Sequence, residues 1–189
     1  TLGIETNYSG FDYSDEVVET LKKEQPGIKV FHADAGTVEL DEKYDVIILL
    51  GGLHHVPHIA DKVVARLAKS IKPGGYFINL EPTSGNPLFT WIRDKIYKRN
   101  ALFDEQTERA FAVNELSGFF EDAGLKNVDV TYPGLASYVL YYNPDAFPLL
   151  NLGGSRTVRS IFWLDKFFLR NAIGRVFSFA TLSLWQQPK

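Results

Sequence analysis

Residues 44–50 read Tyr-Asp-Val-Ile-Ile-Leu-Leu, five large apolar side chains in a row behind a single acidic one. An exposed helix or a half-exposed strand needs polar residues at regular intervals. A run without them predicts a short strand covered on both faces, as in a parallel sheet. Parallel strands cannot be joined by hairpins, and each return needs a crossover of a dozen or more residues, usually a helix. The expectation is a central strand at 44–50 with strand–helix steps on either side.

The flanking sequence supplies those steps. Residues 8–12 read as a strand ending in Asp12, and Ser14 then caps a helix. Asp15 and Glu16 lie in its first turn and Lys22 and Lys23 in its last, charges that suit the helix dipole. Gly27 is expected to end that helix, and residues 28–32 form a β-rich run leading to Asp34, Ala35 and Gly36. Beyond the central strand, Pro57 is placed to open a helix carrying Ile59, Val63, Val64, Leu67 and Ile71 at helical spacing. Pro73-Gly74-Gly75 then forces a turn before a strand at 76–80.

Past Leu80 the alternation loosens. Residues 82–112 are polar and aromatic, with a helix expected near 88–97, and read as an insertion at the ligand-binding end of the sheet. Asn114 caps a helix bearing Leu116, Phe119, Phe120 and Ala123, stopped by Gly124 and followed by a strand at 128–132. Residues 133–176 hold a second aromatic stretch mixed with Arg and Lys, and 177–185 look like a closing strand. The pattern is that of an α/β fold in one domain over residues 1–189.

Composition narrows the function. With 45% hydrophobic residues the chain is not globally disordered. A formal charge of −3 provides no cationic field for nucleic acid. There is no cysteine, which removes thiolate metal sites and cysteine nucleophiles. Methionine is also absent, even at position 1, which suggests a fragment. No apolar stretch approaches the roughly 18 residues of a membrane span, and a cytoplasmic location is the default.

In open parallel sheets ligands sit beyond the carboxyl ends of the strands. Asp12 occupies such a position and can accept both hydroxyls of a ribose, although a turn or capping aspartate explains it equally. Asp34 could accept from an exocyclic amine while the Ala35 N–H meets a ring nitrogen of adenine; a solvated turn residue is the plainer alternative. Gly51 and Gly52, after the most apolar strand, permit close approach of backbone to a ligand, as a simple turn would also require. His54, His55 and His58 lack regular ligand spacing and a companion cluster, so no metal is expected.

Taken together, Gly10-Phe11-Asp12-Tyr13-Ser14, Ala33-Asp34-Ala35, Tyr44-Asp45-Val46-Ile47, Leu53-His54-His55-Val56 and Lys72-Pro73-Gly74-Gly75-Tyr76 resemble, in order and spacing, the class I S-adenosylmethionine-dependent methyltransferases. The resemblance covers residues 1–132 and the closing strand at 177–185. It implies a Rossmann-like, mostly parallel sheet with helices on both faces and an antiparallel C-terminal strand. It also implies S-adenosyl-L-methionine as cofactor. Asp12, with Tyr13 beside it, would take the ribose, Asp34 and Ala35 the adenine, and Gly51 with Gly52 and the adjoining loop would lie near the methionine moiety. The family's first strand and glycine-rich turn would precede Thr1.

Methyl transfer from a sulfonium is an in-line displacement in which alignment provides much of the acceleration. A hydroxyl acceptor benefits from a base, for which His55 is the first candidate and Glu81 the second. The acceptor is expected to be a small or lipid- or sugar-linked molecule, recognised by a cover built from 82–112 and 133–176, with peripheral membrane contact through the basic and aromatic second segment. A nicotinamide-dependent oxidoreductase and a non-catalytic scaffold of the same fold are the alternatives.

Overall fold

A computed structural model describes residues 7–85, 90, 91, 95, 109–142 and 156–189. It divides into two compact units, Thr1–Leu40 and Asp41–Lys189. In the first unit β1 (Ser9–Asp12) and β2 (Lys29–His32) pair in parallel, with Asp12 opposite His32. The crossover is α1 (Asp15–Glu24), which turns Val18 inward. Ser14 caps it as expected, its Oγ accepting the Val17 N–H at 3.3 Å. The helix ends at Glu24 with Gln25 as its C-cap, before Gly27 is reached, the Gln25 N–H closing the last turn on the Leu21 carbonyl at 2.8 Å.

The second unit is built on β3 (Tyr44–Leu50), β4 (Ile71–Ser84), β5 (Phe111–Ala112), β6 (Lys126–Thr131) and β7 (Ala180–Gln186). The strand order is β3-β4-β7-β6, with β5 paired to the end of β4. β3 and β5 run parallel to β4, whereas β7 is antiparallel to both β4 and β6. The expected mixed α/β sheet with an antiparallel C-terminal strand is therefore present. Helices α2 (Ala60–Ala68), α3 (Val113–Asp122), α4 (Arg156–Asp165) and α5 (Ala172–Phe177) complete the unit.

Apolar periodicity explains the core. α2 buries Ala60, Val63, Val64, Leu67 and Ala68, and α3 buries Leu116 and Phe120. Phe120 stacks on Trp185 of β7, with ring planes 8° apart and centroids 5.0 Å apart, and meets Phe77 of β4 edge-on at 5.2 Å. The buried indole N–H donates to Ser183 Oγ at 2.8 Å, so burying Trp185 leaves no donor unpaired.

Several boundaries differ from the sequence reading. β3 is not central in its sheet: β4 lies along one edge, no described strand lies along the other, and Val46, Ile48 and Leu50 are exposed. An apolar run reports that a strand suits cover on both faces, not which element supplies it. α2 begins at Ala60 rather than at Pro57, and Ile71 belongs to β4. Pro73-Gly74-Gly75 bulges out of that strand, the register jumping from Tyr44 opposite Ile71 to Val46 opposite Tyr76. Gly75 is needed at this crowded bend, since a Cβ there would lie 2.8 Å from the Asp45 carbonyl oxygen. β4 then continues to Ser84, into the expected insertion. Of the helix near 88–97, Thr90, Trp91 and Lys95 are helical and the rest lies outside the described residues. The closing strand starts at Ala180, and 128–132 starts two residues earlier, at Lys126.

α3 begins one residue before the expected Asn114 cap. Its start is held by Glu115, whose Oε2 accepts the Ala112 N–H at 3.3 Å. Alanine offers no side-chain acceptor in return, so this is half of a capping box. Arg109 reaches the same carboxylate with both terminal nitrogens, at 2.7 and 3.0 Å. Asn114 instead accepts from Arg175. The hydrogen bonds from Arg109, aided by its charge, hold the Glu115 carboxyl below the usual carboxylate range against the opposing effect of partial burial.

A carboxyl depressed in the folded state adds stability above its unfolded value and loses it as pH falls through its folded value. Glu115→Gln should therefore lower stability at neutral pH by no more than about 1 kcal/mol, the scale of a half-exposed pair. In urea unfolding the gap from wild type should close as the pH is taken below the carboxylate range. A gap of constant size at all pH values would exclude this ion pair as its cause.

Candidate functional site

In the first unit the two acidic positions fall where the sequence put them, just beyond the carboxyl ends of two parallel strands. Asp12 ends β1 and Asp34 follows β2. Each uses one carboxylate oxygen to fix its own turn: Asp12 Oδ1 accepts the Ser14 N–H at 2.8 Å and Asp34 Oδ1 the Gly36 N–H at 2.7 Å. Neither Oδ2 takes a hydrogen bond from a described residue. The Ala35 N–H is likewise without an acceptor among the described residues, although its neighbours at 36, 37 and 38 all donate to Asp34. Two acceptor oxygens and one donor are left at the ends of these strands. Tyr13 projects there, 74% exposed, its ring 5.9 Å from that of His32. A hollow of about 420 Å³ lined by Tyr8, Gly27 and Lys29 opens at the other end of these strands and includes none of these groups.

The second unit centres on a buried carboxylate. Glu81 lies near the end of β4 with no exposure to solvent. Its Oε1 accepts the N–H groups of Gly52 at 2.9 Å and Leu53 at 2.8 Å. Its Oε2 accepts the His54 N–H at 3.3 Å and meets His54 Nδ1 at 2.9 Å. Residues 53–55 form a single helical turn, and the first N–H groups of such a turn have no partner within it. The Glu81 carboxylate satisfies them and thereby fixes the turn.

Two glycines let the chain reach this arrangement. Gly51 has φ +64°, a conformation that other residues avoid, while its N–H still reaches the Leu80 carbonyl at 2.8 Å to extend the β3–β4 ladder. A side chain at Gly52 would meet Leu49 Cδ1 at 3.0 Å. Both lie at the carboxyl end of β3, as expected.

A carboxylate only accepts, so the tautomer of His54 that suits this pair has its proton on Nδ1 and leaves Nε2 as the acceptor. The carbonyl of His54 is held as well, accepting the Arg109 N–H at 3.0 Å. The ring is 15% exposed, and its Cε1 would lie 3.6 Å from a Cβ at Gly51. His55 stands outside it, exposed, with ring centroids 4.0 Å apart.

Glu81, the second candidate base, holds the turn and the imidazole through both of its carboxylate oxygens and is fully buried. His54, which belongs both to the Leu53-His54-His55-Val56 motif and to the group weighed as metal ligands, is held by this carboxylate. A one-dimensional signal exists, a histidine two residues after the glycine pair that follows a strand, but its carboxylate partner is 27 residues away and only the register of β3 on β4 joins them. Among the described residues no three His, Asp or Glu side chains are grouped to hold a metal ion, and His58 is exposed.

Comparison with known proteins follows from this architecture. A family model described as a methyltransferase domain matches residues 2–130. A demethylmenaquinone methyltransferase of Bacillus mycoides is 28% identical over 153 residues, covering 68% of this chain and 63% of the relative. A phthiotriol/phenolphthiotriol dimycocerosates methyltransferase of Mycobacterium tuberculosis is 28% identical over 91 residues, covering 47% of this chain and 33% of the relative. The chain thus spans less than two thirds of the length of these curated relatives. The solved structure of a SAM-dependent methyltransferase from Thermotoga maritima superposes with a TM-score of 0.64 at 15% identity, covering 96% of this chain and 73% of that one, and shows the shared fold.

The carboxylate at position 81 should be stringent for folding. Glu81→Ala removes the acceptor for one buried and two partly buried N–H groups and an imidazole, each donor left unpaired and dry costing about 1–3 kcal/mol. Denaturant unfolding should show a loss of several kcal/mol, on the order expected for breaking a buried, paired charge. A loss under about 1 kcal/mol would mean that the cradle does not order the turn.

Proposed function

We propose a function on the premise that this chain belongs to the methyltransferase-domain family: it binds S-adenosylmethionine and transfers the methyl group to a small or lipid-linked acceptor with a large apolar part. The observation that carries the reading is the set of groups left without partners at the ends of β1 and β2. Asp12 Oδ2 suits a ribose hydroxyl, Asp34 Oδ2 an exocyclic amine and the Ala35 N–H a ring nitrogen of adenine. These are the polar features of an adenosine, offered by residues in the order that the family resemblance implies. Tyr13 would flank the ribose. The family resemblance assigns Gly51 and Gly52 to the methionine moiety, and glycine suits a backbone that a ligand approaches closely.

The bound cofactor supplies a methyl group made electrophilic by a sulfonium. The residues of the chain then have two tasks, alignment of the acceptor and removal of its proton. We assign the second to His54, whose Nε2 is kept as an acceptor by the Glu81–Nδ1 hydrogen bond. His55, its exposed ring tilted 37° against that of His54 with centroids 4.0 Å apart, would pass the proton on to solvent. Glu81 is a positioning residue in this scheme. Apolar acceptors are favoured by the aromatic content of 82–112 and 133–176, which we assign to an acceptor cover. Within the first of these Trp91 is exposed beneath the Lys95 ammonium, 3.7 Å from the ring centroid. The acceptors that name the two relatives, demethylmenaquinone and phthiotriol dimycocerosates, are also largely apolar molecules.

Two measurements test this. In titration calorimetry Asp12→Ala should weaken S-adenosylmethionine binding by about 1.5–3 kcal/mol, the range for hydrogen bonds to a charged group; an unchanged affinity removes Asp12 from the site. With quinol and phenol acceptors, His54→Ala should lower kcat by roughly 10²–10⁴-fold, as for loss of a general base, while cofactor affinity is retained. A greater loss in His55→Ala would return the role to His55.

A further inference from the structure

The segment from α4 to α5 is amphipathic in an unusual sense, with its apolar side chains outward. α4 turns Val158 and Asp165, seven residues apart and so on one face, toward the protein. Asp165 is buried and accepts both the N–H and the hydroxyl of Ser137, at 2.8 and 2.6 Å. That anchor directs the other faces to solvent. Phe162, Trp163, Leu164, Phe167, Phe168 and Ile173 are all exposed, Trp163 at 58% and Phe167 at 64%. Trp163 and Phe167 brace one another edge-on at 5.3 Å, so the most exposed pair is held as a wedge. Exposed rings on this scale mark an interaction surface.

The charges identify the partner. Residues 156–177 contain Arg156, Arg159, Lys166, Arg170 and Arg175, and Asp165 is their one acid. With Asp165 turned inward, every charge that this segment presents to solvent is positive, on a chain whose formal charge is −3. Arg170 is paired with Asp129 at 2.7 Å and Lys166 lies over the Phe162 ring at 5.5 Å. Arg156 and Arg159 have no ion pair among the described residues. A second copy meeting this face across a two-fold axis would set these cations against themselves. Cations bordering Trp, Phe and Leu match a surface that is anionic at its boundary and apolar just below it.

We propose that residues 156–177 dock the protein on an anionic lipid surface, with Trp163 and Phe167 entering the acyl boundary and Arg156, Arg159 and Lys166 meeting the headgroups. No helix among the described residues is long and apolar enough to cross a membrane, so this is attachment in the plane of the interface. It is independent of the methyl-transfer reading, since vesicle binding is measured without cofactor or acceptor.

The test is flotation of the protein with phosphatidylcholine vesicles, with and without phosphatidylglycerol, at low and high salt. Binding is expected only with phosphatidylglycerol and should weaken in high salt. The double variant Trp163→Ser, Phe167→Ser should bind at least about tenfold more weakly at an unchanged melting temperature. Should the double variant melt early, the charge reversal Arg159→Glu with Lys166→Glu provides the same comparison without touching the rings. Equal partition onto both vesicle types, binding that survives both pairs of substitutions, or no vesicle binding at all overturns the proposal. Self-association that the serine variant abolishes, or capture by an acidic polypeptide, with vesicle binding absent would identify another occupant and likewise overturn it.

Discussion

A single buried carboxylate organises the carboxyl end of β3 and β4. Taking Glu81 out of water is costly, and the fold meets that cost with three backbone N–H groups and an imidazole. The same contacts do three further things. They terminate β3 in a left-handed glycine, start a helical turn whose first donors would otherwise be unpaired, and set the tautomer of His54. Remove the carboxylate and the turn, the glycine geometry and the imidazole lose their common reason for being where they are.

Much of this fold was legible because its local signals agree with its packing. Ser14, with acidic residues after it and lysines at the far end, is the start of α1, and the apolar run at 44–50 is a strand to the residue. The antiparallel closing strand was also anticipated, with Phe120 and Trp185 supplying the cross-layer contact. The site was legible as a location and less so as chemistry. That ligands gather beyond strand ends singled out Asp12, Asp34, Gly51 and Glu81. It could not say that Glu81 points inward, because that depends on the alternation of β4, which buries Phe77, Asn79, Glu81 and Thr83. The pairing of His54 with Glu81 is not legible in sequence for the same reason: the two are remote along the chain and adjacent only through strand register.

Asp12 and Asp34 show why their two readings could not be separated from sequence. A turn aspartate and a ligand-binding aspartate were treated as alternatives. In the structure one oxygen of each makes the turn and the other is left over. The turn bond holds the second oxygen in a fixed direction, so a turn role and the proposed recognition role are compatible uses of one carboxylate.

The hydrogen bond from Arg109 to the carbonyl of His54 joins distant stretches of chain. Arg109 belongs to the segment leading from the 82–112 region into β5 and α3, and it is clamped at its other end by Glu115. The backbone of His54 is therefore shared between a rigid side, Glu81 on the sheet, and a side tied to the chain that returns from the variable region. In the proposed reaction that hydrogen bond gives the variable region a route to the backbone that carries the imidazole, so a substitution at Arg109 would act on the orientation of the base without touching an acceptor.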